Sequence, residues 1–193
     1  MWSEDSFCVV PALVGKNEYY LGLLTAMNYW GMTEQIPIVV YVITNKKKKS
    51  LEAFGSKYVF VNIGLGDYEQ AEFQGVKINI SSKEQTILDC LSHPEYSLGI
   101  SEVAKAIHTV KKEIDWNKLL KLCSNQKDVV RRRLGYLLEI LGEKKYASKL
   151  AKSFKGFVWL DPHAEKKRLS YSKKWGIILN VRKEDLLEFQ RGY

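Results

Sequence analysis

Val130-Arg131-Arg132-Arg133-Leu134-Gly135-Tyr136-Leu137-Leu138-Glu139-Ile140-Leu141 places Val130, Leu134, Leu137, Leu138 and Leu141 at i, i+4, i+7, i+8 and i+11. That spacing lines one face of an α-helix. Gly142 supplies the stop, because glycine takes the left-handed backbone after a helix without a Cβ penalty. On a wheel centred on the leucine stripe, Arg132 lies opposite the core and reads as a surface charge. Arg133 lies at the edge of the stripe, where its stem packs on apolar neighbours and its guanidinium needs a carboxylate or carbonyls. Glu84 and Asp89, on another core-facing helix, are its expected partners.

Upstream of this segment, helix follows helix. Ser81-Ser82-Lys83-Glu84 has capping-box spacing and leads into Ile87, Leu88 and Leu91, with Pro94 closing the helix. Ser101 caps the next helix, with Val103, Ala104, Ile107 and Val110 on one stripe, and Asp115 caps a third, aligning Trp116, Leu119, Leu120 and Cys123. Before Ser81 the pattern is that of strands. Pro37 opens the β-branched run Ile38–Thr44, whose near-continuous apolarity fits a strand covered on both faces. Lys57–Ile63 and Val76–Ile80 are further strands, with Gly64, Gly66 and Asp67 in the turn region between them. Phe7–Leu13 also reads as a strand, and Lys16–Trp30 as a helix with Tyr19, Leu23, Ala26, Met27 and Trp30 on one side.

Downstream, a basic helix over Glu143–Phe154 leads to strands at Phe157–Leu160 and Trp175–Val181, then to a short helix over Lys183–Phe189. The class is therefore α+β: a mixed β-sheet of at least three strands with packed helices, followed by a helical C-terminal half. No repeat or linker interrupts the chain, so residues 1–193 are expected to form one unit. A weaker boundary near Ser81 separates a sheet-rich part (1–80) from a helical part (81–193).

The chain has 193 residues, 46% hydrophobic and 27% charged, enough apolar content for a folded core. Its apolar runs fall short of the roughly 18–20 residues needed to span a bilayer. The first residues carry acid where a secretory signal carries base, so the expected location is the cytoplasm. Cys8, Cys90 and Cys123 form no paired motif and read as reduced, mostly buried thiols. The net charge of +8 points to an acidic partner, nucleic acid first and an acidic protein second. A lysine-rich surface paired with its own glutamates would need no ligand at all.

Candidates for nucleic-acid contact are the run Lys46, Lys47, Lys48 and Lys49, the helix residues Arg131 and Arg132, and Lys166, Lys167, Arg168, Lys173 and Lys174 in the basic loop Glu165–Lys174. The lysine run suits either phosphates or a solvated hairpin tip, since no aromatic interleaves it. Three capped helices followed by two strands around a basic loop, over Ile100–Asn180, is the element order of a winged helix, although no helix carries an exposed cluster for reading base edges. Enzymatic signatures are weak. His93, His108 and His163 are far apart in sequence, Asp161-Pro162-His163 reads as a turn, and no phosphate-cradling glycine motif occurs. A metal-dependent nuclease using Asp67, Glu72 and Lys77 is conceivable, without the usual strand-borne spacing. No catalytic residue, metal ligand or cofactor is expected.

Four short motifs occur in an order that resembles the AbiEi antitoxin and transcriptional-regulator family of phage-defence toxin–antitoxin systems. They are the tyrosine-rich Tyr19–Gln35, then Glu84-Gln85-Thr86-Ile87-Leu88-Asp89 with Pro94-Glu95-Tyr96 and Gly99-Ile100 after it, Arg133-Leu134-Gly135-Tyr136-Leu137-Leu138-Glu139, and Trp175-Gly176-Ile177-Ile178-Leu179-Asn180. Glu84, Asp89, Arg133, Gly135 and Trp175 are the motif residues expected to serve structure. The resemblance implies a non-enzymatic, DNA-binding autoregulator that also neutralises a nucleotidyltransferase toxin. It covers the family's C-terminal part, so the N-terminal winged helix is expected to be missing.

Overall fold

The β-branched run after Pro37 becomes a central strand of a six-stranded sheet, as its apolarity on both faces requires. A computed structural model describes residues 5–191. The chain is α+β and divides into two compact units, one ending at Thr86 and the other beginning at Ile87. The sequence marks its change of pattern a few residues earlier, near Ser81.

The first unit opens with two short helices, α1 (Asp5–Cys8) and α2 (Val10–Val14), followed by β1 (Tyr19–Leu21), α3 (Leu23–Tyr29), β2 (Val39–Thr44), β3 (Leu51–Ala53), β4 (Ser56–Val61), β5 (Tyr68–Phe73) and β6 (Val76–Ser81). The strand order is β3-β4-β2-β1-β6-β5. β2 runs parallel to β4 and β1 parallel to β6, while the other pairs are antiparallel, so the sheet is mixed. Phe7, Val10, Tyr58, Val40, Val42 and Ile80 anchor its core.

Phe7–Leu13 is helical where the sequence suggests a strand. Phe7, Val10 and Val14 recur at helical intervals and bury one face, and Pro11 sits in the first turn of α2, where its missing N–H costs nothing. Lys16–Trp30 is not one helix. Tyr19, Tyr20 and Leu21 are all buried in a strand held between β2 and β6, and the helix begins only at Leu23. Short apolar runs fit both periods, so the pattern alone could not separate them. Gly22 makes the change of direction possible, because a Cβ there would stand 2.7 Å from the Ile43 side chain. The strands β3 and β5 are absent from the sequence reading: β5 is polar and mostly exposed, and the two-residue turns Phe54-Gly55 and Gln74-Gly75 adopt positive φ at both positions without the usual Asn or Asp signal.

The helix α4 (Lys83–Ser92) starts one residue later than the capping-box reading places it. Ser82 Oγ accepts the Gln85 amide at 3.3 Å, and the Ser81 hydroxyl instead meets the Thr86 hydroxyl at 2.7 Å. The remaining elements are α5 (Ile100–Val110), α6 (Trp116–Ser124), α7 (Asp128–Ile140), α8 (Lys144–Leu150), β7 (Val158–Trp159), β8 (Ser170–Ser172), β9 (Ile177–Leu179) and α9 (Lys183–Leu186). Asp115 caps α6 as expected, accepting the Asn117 and Lys118 amides. α5 is capped differently from the Ser101 reading: Asp161, 61 residues away, accepts the Ile100 amide at 2.9 Å. β7, β9 and β8 form a three-stranded sheet in that order, with β7 parallel to β9. Among the described residues, no helix is long and apolar enough to cross a membrane.

Candidate nucleic-acid interface

The leucine stripe of α7 is buried as its periodicity requires, but so is nearly everything else on that helix. Arg132 through Leu138 are all buried, so this middle part of α7 is enclosed on every side, while Asp128 is exposed and Arg131 and Glu139 are half-buried. Arg132 is 5% exposed, which removes it from the surface and from the list of phosphate ligands. Its guanidinium bonds twice to Asp128 Oδ2 and reaches the carbonyls of Lys155, Gly156 and Gly176 at 2.8, 2.9 and 3.1 Å. The wheel fails here because the chain returning from α8 covers the face opposite the leucines, and Arg132 ties that return in place.

Arg133 has its stem buried as expected, and its fork goes to main-chain carbonyls, Leu91 at 2.6 Å and Trp159 at 3.3 Å, where the sequence suggests Glu84 and Asp89. Burial lowers its pKa, and the carboxylates of Asp161 and Glu95 oppose that shift only in part. Gly135 allows Trp175 to lie against α7, since a Cβ at that glycine would stand 2.1 Å from the indole ring. The Trp175 Nε1 donates to Glu139 at 3.2 Å, and Gly176, at φ +58°, lets the Arg132 guanidinium approach. Asn180 bonds to the main chain of Asp161 in both directions. The motifs of α7 and of the Trp175–Asn180 segment therefore interlock as packing chemistry.

The α6–α7 turn, Asn125-Gln126-Lys127, has helix-turn-helix length, yet from Arg132 to Leu138 its second helix is buried and offers no side chain to a groove. Arg131 is half-buried. The winged-helix order also differs in detail: the basic loop contains the additional strand β8, and α8 intervenes before the sheet.

Positive charge gathers in one stretch. Residues 144–183 hold twelve Lys or Arg and two acids, a charge of +10 that exceeds the +8 of the entire chain. Lys166, Lys167, Arg168 and Lys173 are exposed there. Lys174 is exposed too, but it pairs with Glu139 and lies 5.2 Å from the Trp175 ring centre. Lys46, Lys47, Lys48 and Lys49 are all exposed between β2 and β3, and Lys48 is engaged by the Leu13 carbonyl and the Phe60 ring.

The sequence reading did not single out the aromatics that accompany this charge. Phe157 and Tyr171 are 50% and 46% exposed, with ring centres 5.4 Å apart. Their signal is the interleaving of cations and rings in Lys155-Gly156-Phe157 and Arg168-Leu169-Ser170-Tyr171-Ser172-Lys173, which the four lysines lack.

The nuclease constellation does not assemble. Asp67 and Glu72 lie five residues apart along the β5 segment, roughly 16 Å at strand rise, and Glu72 faces Lys77 across the β5–β6 hairpin. Among the described residues, no group of three or more His, Cys, Asp or Glu is placed to hold a metal ion. Two of the three histidines do converge: the Glu95 carboxylate lies 3.2 Å from both His93 Nδ1 and His163 Nε2. Asp161-Pro162-His163 is a turn, with Asp161 Oδ1 accepting the His163 and Ala164 amides. Burial pushes the Cys90 thiol well up and the Cys123 thiol up to about 11, so neither is a ready nucleophile.

No protein-family model matches the sequence, and no curated protein matches it. Among solved structures, the chain is similar to the crystal structure of the RV2827C protein from Mycobacterium tuberculosis, with a TM-score of 0.66 at 11% identity, over 94% of this chain and 69% of that one. At that identity the likeness is one of fold alone.

Proposed function

We propose that this chain is a non-enzymatic regulator domain that contacts nucleic acid through the basic stretch 144–183, acting in the cytoplasm as an antitoxin of the AbiEi type. The concentration of +10 in forty residues carries the reading, since opposed charges elsewhere leave the rest of the chain close to neutral. A lysine-rich surface balanced by its own glutamates would not segregate in this way. Arg132, Arg133, Gly135 and Trp175 act through packing, which leaves the exposed lysines to meet phosphates. The motif order adds the antitoxin role and a nucleotidyltransferase toxin as the functional counterpart.

Duplex DNA should bind at 50 mM salt, with log affinity falling linearly in log salt as counterions are released. Absence of binding at that salt discards the reading. Co-expression with a nucleotidyltransferase toxin encoded beside this chain should restore host growth, and undiminished toxicity would remove the antitoxin role. A second reading, docking of a partner protein, is favoured by an apolar groove of about 520 Å³ at the β3–β4 edge, where Ile38 and Phe54 are strongly exposed.

A further inference from the structure

The three-stranded sheet β7-β9-β8 buries Ile177 on one face and carries strongly exposed rings on the other. In its register Val158, Ile177 and Ser172 oppose one another, and Ile177 is fully buried, so that row belongs to the inner face. The next row is Trp159, Ile178 and Tyr171, which alternation places on the outer face. Phe157, two residues before Trp159, falls on the same side, consistent with its ring contact to Tyr171. Leu169 is also 45% exposed. The outer face thus presents two exposed rings and partly buried Trp159 and Ile178, an arrangement that a core-facing sheet would not leave to water.

The surroundings of this face are cationic. Lys155 precedes Phe157, Lys166, Lys167 and Arg168 lead into β8, and Lys173 follows it, all exposed. Arg168 donates to the Tyr171 hydroxyl and its guanidinium carbon stands over the ring, 5.1 Å from its centre, so the ring is held in place from one side. A pre-positioned ring loses little freedom when a flat ligand stacks on it.

We infer that the Phe157–Trp159–Tyr171 face of this sheet is a stacking platform for unpaired bases, so that the preferred ligand is single-stranded nucleic acid. The inference rests on the nucleic-acid reading above and names the form of the ligand. Exposed rings on a strand pair take up splayed bases in any sequence, because every base has a π-face, while the framing cations follow the sugar–phosphate backbone. A duplex offers its phosphates to the same lysines but keeps its bases stacked on one another. An acidic protein complements the lysines but offers nothing that uses the open rings.

The test compares a 12-nucleotide single strand with the duplex of the same sequence, by fluorescence anisotropy of the full chain at 50 and 200 mM salt. The single strand should bind more tightly than the duplex. Tyr171→Ala and Phe157→Ala should each weaken the single strand by about fivefold or more, with the salt slope and the duplex affinity unchanged. Tyr171→Phe keeps the ring but not the Arg168 hydrogen bond and should weaken the single strand less than Tyr171→Ala, and Lys166→Glu with Lys167→Glu should weaken both ligands and flatten the salt slope. Far-UV circular dichroism checks that each variant is folded, and the two alanine variants test the platform independently. Equal binding of both ligands, untouched by either alanine, overturns the platform and leaves the basic-surface reading standing. No binding of either ligand at 50 mM salt overturns both.

Discussion

Replacing Arg132 separates a buried structural tie from a surface phosphate ligand. In Arg132→Ala the buried Gly176 carbonyl loses the guanidinium but keeps the Val158 amide, at a cost of about 0.5–1.5 kcal/mol. The Lys155 and Gly156 carbonyls belong to exposed residues and can turn to water, so about 0.5–1.5 kcal/mol each is lost. Asp128 is 43% exposed and keeps Lys152, so its pair with Arg132 adds about 0–1 kcal/mol. The total is about 3–4 kcal/mol, within the range for removing one partner of a buried charged network. With a urea slope of about 2 kcal/mol/M, the unfolding midpoint should fall by about 2 M. Arg132→Lys keeps the charge but not the fork, and should recover less than half of the loss. Lys149→Ala, on the exposed face of α8, should stay within about 0.5 kcal/mol of the parent. The reasoning is refuted if Arg132→Ala unfolds like Lys149→Ala, or if it weakens DNA binding while leaving the urea midpoint in place.

Gly135→Ala should displace Trp175, because the added methyl would occupy the ring's position; a loss of about 3 kcal/mol and a red-shifted tryptophan emission are expected, and an unshifted spectrum would contradict the packing described. His108 packs on Phe189, and burial chiefly, helped by Lys111 and opposed by Glu143, holds its pKa below the ordinary 6.5. The unfolded chain therefore binds the extra proton, so stability is complete above pH 6.5 and declines as the pH falls toward the folded pKa. His108→Gln should abolish that decline, and an NMR titration midpoint at or above 6.5 would dismiss the effect.

Helical periodicity exposed the second unit well: Leu134, Leu137 and Leu138 are buried and Asp115 is a cap, because those features are written within one turn of chain. The sheet of the first unit was only half legible. β2, β4 and β6 carry their own apolar pattern, whereas β3 and β5 exist because neighbours pair with them and because Phe54-Gly55 and Gln74-Gly75 accept a left-handed turn. Arg132 was misplaced since a helical wheel knows nothing of a later segment crossing its polar side. Its three carbonyl partners lie 23 to 44 residues away. The open aromatic face escaped for the same reason, as the pairing of β7 with β9 is a tertiary fact.

The reach of Asp161 back to the first amide of α5 has a kinetic meaning. That helix cannot satisfy its own leading N–H from local sequence, so its first turn is completed only after the loop following β7 has arrived. Sixty-one residues of loop closure precede that bond, and the two regions should therefore open and close together as one cooperative block. Amide hydrogen exchange at Ile100 would then report on the integrity of a sheet distant in sequence.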